Sequence, residues 1–140
     1  MKSIENKNII FIRLYPGEEL ISKILKACKK YKVKTAIVLS GIGQLKEIEI
    51  GYFKNKGNYL PNKFKKALEL LSLSGNIIIN EKDIDVHLHV TLGDEDKKCL
   101  GGHLIKGVVS VTAEIFLIKT DLKLERVLDS ETGLKGLNIK

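Results

Sequence analysis

Residues 85–104, DVHLHVTLGDEDKKCLGGHL, contain all three histidines of a 140-residue chain. In an extended segment, side chains alternate between faces. Val86, Leu88, Val90 and Leu92 then share one face, and His87, His89 and Thr91 the other. Side chains at i and i+2 on a strand stand about 7 Å apart at Cα. From there, one nitrogen of each imidazole can reach a single ion at about 2.0–2.1 Å. His103 supplies a third nitrogen if the chain turns back across the sheet, and Gly93, Gly101 and Gly102 are flexible positions for such a return. Three neutral imidazoles with one open position are the donor set of catalytic zinc, as opposed to a closed structural site. Zinc so held lowers the pKa of bound water and polarises carbonyl oxygens. The alternative left open is a pair of histidines on the wet side of a sheet.

Two further residues bear on this chemistry. Glu114 is a lone acid in the apolar stretch VTAEIFL, where an isolated carboxylate needs a partner. It is the candidate catalytic group, as a general base or proton shuttle near the metal. It is equally a candidate ligand, an outer carboxylate orienting a histidine, or a residue on the wet face or at a subunit boundary. Cys99 lies in the histidine segment as a candidate ligand or a bystander loop thiol, while Cys28 falls on an apolar helix position and is expected in the core.

These residues must be held by secondary structure. NIIFIRL (8–14) reads as a strand, stopped by Tyr15-Pro16-Gly17. Glu18 and Glu19 open a helix in which Leu20, Ile21, Ile24, Leu25, Cys28 and Tyr31 form the apolar stripe and Lys23, Lys26, Lys29 and Lys30 the opposite face. TAIVLSGIGQL (35–45) reads as a buried strand ending in a Gly41-x-Gly43 turn, and EIEIGYF (47–53) as the next strand. Residues 54–66, with Gly57, Asn58 and Pro61, read as a loop with one helical turn; 67–79 as a long or kinked strand; 107–119 as a strand; and 122–139 as a last strand and a tail. The expected fold is α+β: one domain over residues 1–140, with a largely antiparallel sheet.

Bulk properties set limits. The charged fraction is 29% and the apolar fraction 44%, so a soluble globular domain is expected, with an aliphatic core because aromatics are scarce. The segment MKSIENKNIIFIRL has no long apolar region or cleavage site, and no apolar run approaches a membrane span. The expectation is a cytoplasmic protein with reduced thiols and no membrane partner. The net charge of +7 favours acidic partners such as DNA. Lys54, Lys56, Lys63, Lys65 and Lys66 form a stretch free of acids and are the candidate nucleic-acid contacts. Around the histidines, Glu81, Asp83, Asp85, Asp94, Glu95 and Asp96 outnumber Lys82, Lys97 and Lys98, which disfavours a phosphate backbone there. The glycine pair lacks the third glycine of a dinucleotide fingerprint and the following Lys-Ser/Thr of a phosphate loop. No Ser-His-Asp constellation and no Cys-x-x-Cys finger is present.

Six ordered segments resemble the PPC (plants and prokaryotes conserved) domain family: RLYPGEEL (13–20), SGIGQLKEIEIGYF (40–53), LELLSLSGNI (68–77), VHLHVTLGDED (86–96), GGHL (101–104) and VTAEI (111–115). The recognisable core runs from about residue 10 to 119, with a strand and tail at 120–140. The resemblance implies a two-layer α/β domain whose central, largely antiparallel sheet is flanked by helices, a homotrimeric assembly, and a stand-alone prokaryotic protein. It further implies that His87, His89 and His103 match the histidines of a zinc site, Glu114 the acid of the TAE motif, and Gly41 and Gly43 the GIG turn. Plant members carry an AT-hook, an Arg-Gly-Arg-Pro core that makes the DNA contact; here the only arginines are Arg13 and Arg126, so that contact is missing. The leading expectation is a trimeric protein binding a divalent metal, zinc, with an open position for a small polar ligand. The alternatives are a DNA-binding regulatory or architectural protein and a metal-dependent hydrolase or lyase.

Overall fold

The computed structural model describes residues 1–80 and 84–139; Glu81, Lys82 and Asp83 of the acidic neighbourhood lie outside the described residues. The chain builds β1 (Lys2–Asn6), β2 (Ile9–Leu14), α1 (Leu20–Lys30), β3 (Thr35–Asn55), β4 (Asn58–Phe64), β5 (Leu68–Ile79), β6 (Ile84–Gly93), β7 (Cys99–Thr120), β8 (Leu124–Leu128) and β9 (Lys135–Ile139). The first seven strands form one antiparallel sheet in the order β1-β2-β7-β6-β5-β3-β4, and β8 and β9 a separate hairpin. β7 also pairs with β3, so β3, β5, β6 and β7 close a circuit.

The closed circuit overturns the expected α+β, two-layer arrangement with flanking helices. The fold is mostly β, and one eleven-residue helix is the only helix among the described residues. The physical reason is curvature. A curled sheet fills its concave face with its own alternating side chains, and a second layer of helices is not needed to cover it. Ile10, Ile12 and Leu14 of β2, Leu45 of β3, Leu73 and Ile77 of β5, Leu88 and Leu92 of β6, and Ile115 and Leu117 of β7 are all fully buried there. Each such side chain contributes about 1.5–3 kcal/mol. α1 closes one end with Leu20, Ile24, Ala27 and Cys28, as its spacing requires. Glu19 caps it, its carboxylate accepting from the backbone N–H of Ile21 and of Ser22 at 3.2 and 2.7 Å.

Three local expectations also change. Gly41-x-Gly43 does not end a strand: residues 35–55 are one bent strand, with a register shift after Gly43. Gly43 has φ +149°, and a Cβ there would stand 2.1 Å from the Thr112 carbonyl oxygen, so the glycine serves close strand approach. Residues 54–66 are a hairpin turn and an edge strand in place of a loop, with Gly57 at φ +76° in the turn. Residues 122–139 are a hairpin in place of a strand and tail. The kink expected in 67–79 is present as a shift between Leu70 and Ser72. Among the described residues no helix is long and apolar enough to cross a membrane.

Candidate metal centre

Alternation along β6 works as the sequence requires. Leu88, Val90 and Leu92 point into the core, and His87 and His89 point out. The return to β7 is made by Asp94–Lys98, not by the glycine pair. The Asp94 N–H donates to the Lys98 carbonyl at 3.0 Å, the Lys97 N–H to the Asp94 carbonyl at 3.0 Å, and the Lys98 N–H to Asp94 Oδ1 at 2.9 Å. Lys97 takes the left-handed conformation, φ +66°. Gly101 and Gly102 are already within β7, where a Cβ on either would press a neighbouring backbone carbonyl oxygen at 2.5 or 2.8 Å. The resulting register sets His103 directly opposite His89.

The three imidazoles therefore converge, with one donor atom from each lying within 4.8 Å of the others. His87 Nε2 and His89 Nε2 are 3.1 Å apart, and the ring centres are separated by 5.1, 5.1 and 5.5 Å. Two nitrogens on one tetrahedral zinc stand about 3.3 Å apart. The first pair already has that spacing, and the third needs only a small side-chain rotation. The donor set fits a divalent ion.

The electrostatics favour the ligating form. Burial pushes the His103 imidazole below its usual range, and the neighbouring His87 and His89 add to this. Burial likewise lowers His87, followed by the Arg126 charge and by His89, against an opposing pull from Asp85. A neutral imidazole is the species that binds metal.

Two groups that sequence reasoning did not assign complete the site. Tyr59 of β4 stands edge-on to His103, ring centres 6.2 Å apart. It fits because Gly51 lies opposite His103 in the register, and a Cβ on Gly51 would fall 2.0 Å from the Tyr59 ring. Arg126 of β8 reaches across the sheet with its side chain only 6% exposed. Its Nη2 donates to Asn76 Oδ1 at 2.6 Å and its Nη1 to the Lys135 carbonyl at 3.3 Å. Its Nε lies 3.0 Å from Asp85 Oδ1, an ion pair whose N–H is not aimed along that line. The histidines, Tyr59 and the β8–β9 hairpin enclose an open cleft of about 1090 Å³. No sequence spacing links Tyr59 or Arg126 to the histidines. An Asp at i−2 of His87 on the same strand face was the one available signal.

The other candidates lie elsewhere. Glu114 is on β7 between Arg13 of β2 and Ile42 of β3, roughly 35 Å along the strand path from His103. It does not line the cleft. Cys99 is exposed at the start of β7 opposite Gly93, in a strand and not a loop, and Cys28 is buried as expected. Of the five lysines, Lys63 faces Glu49 at 3.6 Å, Lys66 faces Asp94 at 4.0 Å, and Lys56 Nζ donates to the Ser130 carbonyl at 2.7 Å. Lys54 is the penultimate residue of β3, and Lys65 follows β4.

Residues 1–121 match the model of the Plants and Prokaryotes Conserved (PCC) domain. The chain belongs to this family. A plant- and prokaryote-conserved protein of Pyrococcus horikoshii is 36% identical, with 98% of this chain and 94% of that one covered and a TM-score of 0.82. A metal-containing protein of Archaeoglobus fulgidus is 30% identical, with 99% of each chain covered and a TM-score of 0.83. A bifunctional protein GlmU from Synechococcus is 30% identical over 131 residues, covering 92% of this chain. The PCC-domain chain described here spans about a fifth of the length of that relative.

Proposed function

We propose that this PCC-domain protein holds one divalent metal ion, zinc, on His87, His89 and His103 and offers the open side of that site to a small molecule. One observation carries the reading: three imidazole nitrogens within 4.8 Å of one another, from the only histidines in the chain. The metal-containing Archaeoglobus relative supports it. Imidazole donors suit zinc among the divalent ions without excluding its neighbours. A divalent ion there supplies a Lewis acid to whatever enters the cleft. The chain's own part is to hold the imidazoles neutral, to fix their spacing through the His89–His103 register, and to wall the approach with Tyr59 and the hairpin. The test is metal analysis of tag-free protein beside a His87→Ala/His89→Ala variant. One equivalent of zinc in the first and none in the second is expected; equal and negligible zinc in both refutes the reading.

A second reading concerns assembly as a homotrimer. Ile9, Ile118 and Ile37 align across β2, β7 and β3, as do Phe11, Phe116 and Ser40, and then Arg13, Glu114 and Ile42. Ile9, Ile37, Ile42 and Phe116 are exposed on this face. An apolar sheet face crossed by one cation and one anion suits contact with further copies, and in such an assembly Glu114 would stand at the subunit boundary. Light scattering should report three times the 15.7 kDa chain mass; a monomer refutes it.

A further inference from the structure

We infer that the cleft above the histidines takes a small monocarboxylate with an apolar body, an inference that rests on the metal reading above. The charges of the cleft point to the head group. Arg126 is its buried cation, and each guanidinium nitrogen already faces an acceptor: Asn76, the Lys135 carbonyl, or Asp85. Asp129 is similarly engaged, accepting from the N–H groups of Glu131 and Thr132 at 2.8 and 3.4 Å. A divalent ion on three neutral imidazoles adds two positive charges, while the Asp85 carboxylate is taken up by Arg126. An anionic head is the complementary ligand. Lys135 also lines the cleft, but the guanidinium fork, which would grip a phosphate through several donors, is occupied, so a monocarboxylate, which needs fewer donors, is the better match.

The walls point to the body. Tyr52, Phe53 and Tyr59 line the cleft from the β3–β4 hairpin, Ile105 from β7, and Leu134 and Leu137 from the β8–β9 hairpin. Tyr59 is 39% exposed and Leu137 42%, so both keep apolar surface free for a ligand. Apolar walls around a few convergent polar groups are the ordinary form of a small-molecule site. The Leu134 and Leu137 contribution comes from beyond residue 121, where the match to the family model stops. The hairpin thus supplies part of the apolar wall from outside the segment matched by the family model.

The experiment uses the full chain loaded with Co²⁺, whose visible bands report both loading and the open position. Acetate, benzoate and inorganic phosphate are titrated separately. The expected result is benzoate binding at least tenfold tighter than acetate, with phosphate no tighter than acetate. Leu137→Ala and, separately, Tyr59→Leu should narrow the benzoate–acetate gap, each variant being checked for an unchanged melting profile and for retained cobalt loading. Cobalt bands that no carboxylate perturbs, equal affinities for acetate and benzoate, or phosphate as the tightest ligand would each overturn this inference while leaving the metal site standing. A cleft covered by another copy of the chain would give the first of these. Absence of cobalt bands at one equivalent would overturn both.

Discussion

Lowering the pH from 7.5 to 5.5 should weaken zinc binding, by an amount that the environment of the histidines limits. Protons and metal compete for the same nitrogens. For an ordinary imidazole of pKa about 6.5, the protonation penalty rises about tenfold over this interval. Three such ligands would lose about a thousandfold in affinity. Burial and neighbouring charge hold His87 and His103 below the ordinary value, so less of their neutral form is lost at pH 5.5. Zinc affinity should therefore fall, by well short of a thousandfold. Competition against a chelator of known pH dependence measures it. Affinity unchanged between the two pH values would refute histidine ligation, and a loss of a thousandfold or more would refute the depressed imidazoles. The metal-free protein should respond in the same direction. A histidine with a lowered folded-state pKa leaves the unfolded chain binding more protons, so stability falls as the pH drops through about 6.5 and below. Urea midpoints at pH 7.5 and 5.5, with His103→Ala as control, isolate that contribution.

Other perturbations follow from single contacts. Arg126→Met strands Asp85 and Asn76 and unpins the C-terminal hairpin; it should cost about 1–3 kcal/mol in a denaturation curve and speed proteolytic cleavage near residues 129–134. Gly43→Ala forces a Cβ towards the Thr112 carbonyl at a positive φ and should cost about 2–4 kcal/mol, read from the urea midpoint. With a thiol reagent at pH 8, exposed Cys99 should react at once, and Cys28, buried and with its pKa pushed up to about 11, only on unfolding; two fast thiols in native protein would contradict the packing of α1.

What the sequence made legible was local. The alternation of VHLHVTL oriented the two histidines, and the spacing from Leu20 to Cys28 built the helix and its buried face. The closing of the sheet was hidden because it depends on shifts of register within β3 and β7, where no residue pattern repeats. NYLPNKF looked like a loop because an edge strand with nearly every side chain exposed needs no apolar alternation. Arg126 carried no sign of a site role because its partners, Asn76 and Asp85, come near only once β8 folds back over β5 and β6. The cleft thus joins segments whose relation is wholly tertiary, whereas its metal-binding floor comes from one continuous stretch of chain.

β4 forms an outer edge of the seven-stranded sheet, and its residues answer a hazard that every such border carries. Unpaired N–H and C=O groups in a row invite another chain to add a strand and start a fibril. Pro61, midway along β4, has no N–H to offer, and Lys63 adds a charged side chain to this edge strand. Lys63, one of the candidate nucleic-acid contacts, is the lysine that lies within this edge strand. A proline and a charged side chain on an edge strand disfavour the addition of another chain through its backbone, a hazard that grows with protein concentration.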